Sequence, residues 1–152
     1  MNKKQVNKYF KKTMEVFNKK FFEKEGLTLV TDTYSILSIT DTTNLEKGND
    51  YTDTIFKMYD DFRYNFEYQY TLDSIDFNND YLDIDPDKLN IDNKYKKDIN
   101  FCINLKYLKT LLDITKADTI NIKTKFGFYS YQVIIELVKD NYYSYMLPCR
   151  TY

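Results

Sequence analysis

Between residues 99 and 147 the hydrophobic period changes in a set order, and no other feature constrains the fold as much. Residues 99–103 read as a strand, apolar except at Asn100. Asn104 follows, carrying the short acceptor side chain that a helix N-cap needs. Leu105, Leu108, Leu111, Leu112 and Thr115 then recur at helical spacing, which predicts a helix over residues 105–116. Three β-rich segments come next, at 119–125, 129–138 and 142–147, with Gly127 and Asp140-Asn141 at the turns. A β-α-β-β-β unit of this kind must lay its helix on its own sheet to bury the apolar side of each.

The first part of the chain reads as a looser copy. Val6, Phe10, Met14, Phe17 and Phe21 make one apolar helical face over residues 4–21, and Lys4, Lys8, Lys11, Lys12 and Lys19 lie on the opposite face with only Glu15 among them. Residues 27–30 and 34–40 read as short strands, and 44–50 as a loop. Over residues 62–72 the apolar positions Phe62, Tyr64, Phe66, Tyr68, Tyr70 and Leu72 alternate with polar ones, which predicts a half-buried strand. Residues 73–98 form an acidic connector that contains Pro86. The expectation is a single α+β domain over residues 1–152, with halves at 1–72 and 99–152. Both helices would lie on one face of an antiparallel sheet.

Composition narrows the chemistry. The 152 residues include no histidine, which removes Ser-His and Cys-His nucleophiles, imidazole zinc sites and the usual base near neutral pH. Two cysteines, Cys102 and Cys149, are too few for a structural zinc site; they read as reduced thiols. Residues 76–80 begin like a calcium loop, yet Tyr81 stands where that loop needs glycine. No catalytic residue, metal or cofactor is expected. With no signal-like or membrane-length apolar segment, the expected location is the cytoplasm, with no membrane partner.

Charge is segregated. Residues 1–40 carry eight lysines against four acids, residues 41–92 four bases against fourteen acids, and residues 93–152 ten bases against five acids. The acidic block would repel nucleic acid, so the aromatic 62–72 run is read as packing surface rather than a base-stacking platform.

Two stretches carry a family resemblance: Asn104-Leu-Lys-Tyr107-Leu108 at the helix start, and Tyr145-Met-Leu147-Pro148-Cys149-Arg150-Thr151-Tyr152 at the terminus. Together with the element order between them, they resemble the C-terminal domain of the bacterial sliding clamp, the β subunit of DNA polymerase III. The resemblance covers residues 99–152. It implies a non-enzymatic processivity or tethering factor whose helices face duplex DNA through Lys4, Lys8, Lys11, Lys12, Lys19, Lys106, Lys109 and Lys116. It also implies that Tyr145, Leu147, Pro148, Cys149 and Arg150 help to capture peptide motifs of polymerases or clamp loaders. One domain cannot surround DNA, so a homo-oligomer is expected. The alternative is a phage or mobile-element mimic of a clamp or of DNA that inhibits a host DNA-processing protein, with the acidic block imitating phosphates.

Overall fold

The computed structural model describes residues 19–127 and 129–151. Two three-stranded meanders join edge to edge. The first consists of β1 (Lys20–Lys24), β2 (Leu27–Thr31) and β3 (Ser35–Ser38); the second of β8 (Thr119–Phe126), β9 (Tyr131–Lys139) and β10 (Tyr142–Met146). Strand β3 pairs with β10 antiparallel, Ile36 opposite Tyr145 and Ser35 opposite Met146. The short β4 (Glu46–Lys47) adds to β1 in parallel, and β5 (Glu67–Thr71) adds to β8, giving a mixed eight-stranded sheet in the order β4-β1-β2-β3-β10-β9-β8-β5. A second sheet holds β6 (Tyr81–Asp83), β7 (Phe101–Asn104) and β11 (Cys149–Arg150), with β7 in the middle. The helices are α1 (Thr52–Tyr64), the single turn α2 (Asn93–Lys96) and α3 (Leu105–Thr115). The chain is thus an α+β protein, and none of the described helices is long and apolar enough to cross a membrane.

The large sheet is covered on both faces, and apolar doublets in its strands supply the two cores. Leu29-Val30, Ile36-Leu37, Ile134-Ile135 and Tyr145-Met146 each send one side chain to either side, because successive residues of a strand point to opposite faces. On one side Leu29, Ile36, Ile134 and Tyr145 meet Ile55, Phe56 and Tyr59 of α1. On the other, Val30, Leu37, Ile135 and Met146 meet Leu105, Leu108 and Leu111 of α3. Full burial of each of those leucines contributes about 1.5–3 kcal/mol. The two longer described helices, α1 and α3, therefore lie on opposite faces, as doubly apolar strands require; the first of the two helices expected on one face falls largely outside the described residues.

Three expectations change. Residues 4–18 of the expected first helix lie outside the described residues, and its last turn is not helical, since β1 begins at Lys20. Phe21 packs toward the α3 side and Phe22 toward the α1 side, an arrangement that a strand provides. The 62–72 strand is shortened to β5. Ile55, Phe56, Tyr59 and Phe62 are spaced for one helical face, and burying them beside Tyr145 extends α1 through Tyr64. Asn65 ends α1, its Nδ2 donating to Asp61 Oδ1 at 2.7 Å. Of the alternating aromatics, Phe66 is buried whereas Tyr64 and Tyr68 are exposed. The 73–98 connector is part of the core, burying Ile84, Leu89 and Ile91 alongside α3.

The last third follows its pattern closely. Asn104 Oδ1 accepts from the Tyr107 backbone N–H at 3.0 Å, the expected N-cap. Lys116 closes α3 in the left-handed region (φ 58°), its N–H donating to the Leu112 carbonyl at 2.9 Å.

Candidate partner-docking groove

A polar network beneath the α1 side of the sheet fixes the frame of the groove. Lys123 on β8 is 5 % exposed; its Nζ donates to Glu136 Oε2 at 3.1 Å and to the Phe62 and Arg63 carbonyls at 3.2 Å each. Those two carbonyls belong to the last turn of α1, where no intrahelical N–H reaches them. Glu136 in turn accepts from Tyr145 Oη at 2.7 Å and from Asn121 Nδ2 at 2.9 Å. Burial, and then the hydrogen bond to Glu136, push the Tyr145 phenol well above its ordinary value. Tyr59 Oη donates to the Tyr143 carbonyl at 2.8 Å and meets the Tyr145 ring edge-on at 5.5 Å. Helix α1 is thus tied to β8, β9 and β10 through a floor of buried tyrosine.

Past that floor, a cavity of about 190 Å³ lies between α1 and the sheet. Its helix wall is Ile55, Met58 and Phe62; its sheet wall is Ile36, Ile134 and Tyr145. Tyr34, Tyr51 and Leu147 complete the mouth, and every residue that lines it is uncharged. Tyr34, Tyr51, Met58 and Leu147 are 56 %, 53 %, 48 % and 41 % exposed, so large apolar surface lies at the mouth, interrupted by the exposed hydroxyls of Thr33 and Thr54. Leu147 is held there because its N–H donates to the Tyr34 carbonyl at 2.8 Å. The β2–β3 turn that carries Tyr34 is itself fixed by Asp32, whose Oδ1 accepts from the N–H groups of Tyr34 and Ser35 and whose Oδ2 accepts from Tyr107 Oη of α3. Burial raises the Asp32 carboxyl above the ordinary range, outweighing those hydrogen bonds.

The C-terminal tail expected to bind peptide divides in two. Tyr145 and Leu147 line the groove. Pro148, Cys149 and Arg150 turn away onto β7, where Cys149 stands opposite Cys102 and the Arg150 guanidinium lies 5.4 Å from the centre of the Phe101 ring. The helix wall was missed because α1 was not anticipated. The spacing of Ile55, Met58 and Phe62 was its available signal.

Among the expected DNA-facing lysines, Lys4, Lys8, Lys11 and Lys12 lie outside the described residues. Lys19 is exposed, preceding β1 with a left-handed backbone (φ 55°) rather than riding on a helix. Lys106, Lys109 and Lys116 are exposed at the α3 side of the sheet; the helical period places Lys106 and Lys109 within one quadrant, and Lys116 follows the helix as its left-handed cap. Asp113 falls in the same quadrant and dilutes their charge. The structure therefore separates this lysine set from the groove by the thickness of the sheet. In the calcium-like stretch, Asp76 Oδ1 accepts from the Asn78 N–H at 3.0 Å, and no cluster of three metal-ligating side chains occurs among the described residues. Family models, curated proteins and solved structures offer no match to this chain.

Proposed function

We propose that this chain is a non-enzymatic tethering protein of sliding-clamp type, which grips an apolar anchor of a partner protein in the groove between α1 and the sheet. The observation that carries this reading is the groove itself: an uncharged slot beside the C-terminal strand, rimmed by half-exposed Tyr34, Tyr51, Met58 and Leu147. Its volume of about 190 Å³ is small for a cofactor site, which usually spans roughly 300–1,000 Å³. That volume suits one or two bulky side chains of a peptide. The occupant is accordingly an uncharged partner segment presenting one or two bulky apolar side chains, for which an adjacent leucine and phenylalanine serve as a probe. The exposed Lys106, Lys109 and Lys116 would meet the phosphates of duplex DNA from the other side of the sheet, and self-association would supply the ring that one domain cannot form.

Anisotropy of a fluorescein-labelled peptide with a central Leu-Phe pair tests the groove. Burying one such side chain contributes about 1.5–3 kcal/mol, so Met58→Asp should weaken binding at least tenfold. Failure of the wild-type chain to bind the peptide, or equal binding by the variant, removes the reading. DNA contact has its own test. Three phosphate contacts give a slope of log K against log salt of about −2.7, which Lys106, Lys109 and Lys116→Glu should abolish.

One observation favours the phosphate-mimic reading: Asp73, Asp76, Asp80, Asp83, Asp85, Asp87 and Asp92 are all exposed along one connecting stretch. A chain that ignores duplex DNA at low salt, yet displaces DNA from a basic protein, would support that reading and exclude the tether.

A further inference from the structure

We infer that Cys102 and Cys149 form an intramolecular disulfide when the protein meets a low-molecular-weight disulfide such as oxidised glutathione, so that the β7–β11 ladder is a reversible thiol modification site. The inference stands on register and is independent of the groove. Cys149 of β11 is directly opposite Cys102 of β7, with Arg150 opposite Phe101, and the Thr151 N–H donates to the Asn100 carbonyl at 2.8 Å. That bond fixes the alternation, making Cys102 and Cys149 a hydrogen-bonded pair, whose Cα atoms lie about 5.5 Å apart in an antiparallel ladder. A disulfide needs about 4.4–6.8 Å between Cα atoms, and side chains directly opposite in a ladder share one face. Both cysteines are free thiols. The two thiols hydrogen-bond each other, so both side chains already face one another across the ladder.

Access sets the order of events. Cys102 is buried in the middle strand of its sheet, while Cys149 is half-buried on the outer strand. Burial, then the neighbouring Cys149 and Asp83, hold the Cys102 thiol above its usual value, so Cys149 is the entry point. Its thiolate attacks one sulfur of oxidised glutathione, the reagent S–S bond breaks, and one glutathione thiolate leaves and takes up a proton. Cys102 then gives its proton to solvent, and its sulfur attacks the Cys149 sulfur of the mixed disulfide. This expels the second glutathione as a thiolate, which is protonated in turn. Two protein thiols are oxidised by two electrons, and one reagent disulfide is reduced to two thiols. The product pins the last strand to β7, immediately downstream of Pro148.

Intact mass of the full chain after incubation with oxidised glutathione decides the matter. The expected product is a monomer lighter than the reduced chain by two hydrogen atoms, with both thiols lost to maleimide labelling in denaturant and regained on reduction. Cys102→Ser should instead stop at the mixed disulfide, gaining one glutathione at Cys149. A wild-type chain that accumulates a glutathione adduct, forms a covalent dimer, or retains both thiols would overturn the inference. The wild-type result carries the test even where a variant folds poorly.

Discussion

Replacing Lys123 with methionine removes a buried cation that joins α1 to the large sheet. The substitution keeps an unbranched side chain, one atom shorter, but deletes all three hydrogen bonds of the ammonium, to Glu136 and to the Phe62 and Arg63 carbonyls. Glu136 then keeps only Tyr145 and Asn121 as partners while remaining buried. Stranding one member of a buried ion pair costs about 3–5 kcal/mol, far more than the net value of the intact pair. In urea, with a slope of about 2 kcal/mol per molar, the midpoint should fall by about 1.5–2.5 M at unchanged slope. Tyrosine fluorescence can follow the transition, since the chain has sixteen tyrosines and no tryptophan. The double variant Lys123→Met/Glu136→Gln carries no stranded charge and should recover about 2 kcal/mol, a coupling within the range for contacting residues. A loss below about 1 kcal/mol for Lys123→Met, or a double variant no more stable than the single, would refute the reasoning.

Two other perturbations test the frame of the groove. Because the folded-state pKa of Asp32 is raised, the native chain binds its proton more tightly than the unfolded chain does; stability is therefore lost as pH rises from the ordinary carboxylate range through the folded value. The melting temperature of wild type minus that of Asp32→Asn should accordingly be largest on the acid side and shrink toward neutral pH, and a gap that widens instead contradicts the assignment. Gly48→Ala places a Cβ 2.5 Å from Cε1 of Phe22, a ring that is 1 % exposed and has no room to retreat. Overpacking of this kind costs about 1–3 kcal/mol, at about 2–4 °C of melting temperature per kcal/mol, and an unchanged melting temperature would show that the ring yields.

How legible the fold was depended on how many faces an element buries. Helix α3 and strands β8, β9 and β10 follow the sequence because the Asn104 cap and the Gly127 and Asp140-Asn141 turns set their ends locally. The 62–72 run misled because Phe62 and Phe66, four residues apart, serve a strand period and a helix period equally well. The choice fell to burial against Tyr145, some eighty residues away in the chain. The facing of the helices was encoded in the doublets Leu29-Val30, Ile36-Leu37 and Ile134-Ile135, which alternation alone reads as imperfect strands rather than as a sheet with two cores. At the candidate site, Tyr145 and Leu147 were legible from the terminal pattern. Ile55 and Met58 were not, because their helix was not anticipated.

The groove is tested most directly by amide NMR of the isotope-labelled chain titrated with the Leu-Phe peptide. The account predicts shifts concentrated at Ile36, Ile55, Met58, Ile134 and Leu147, with Lys106 and Lys109 on the far side of the sheet undisturbed. Saturable shifts centred on α3, or none at peptide concentrations well above the protein's, would contradict it.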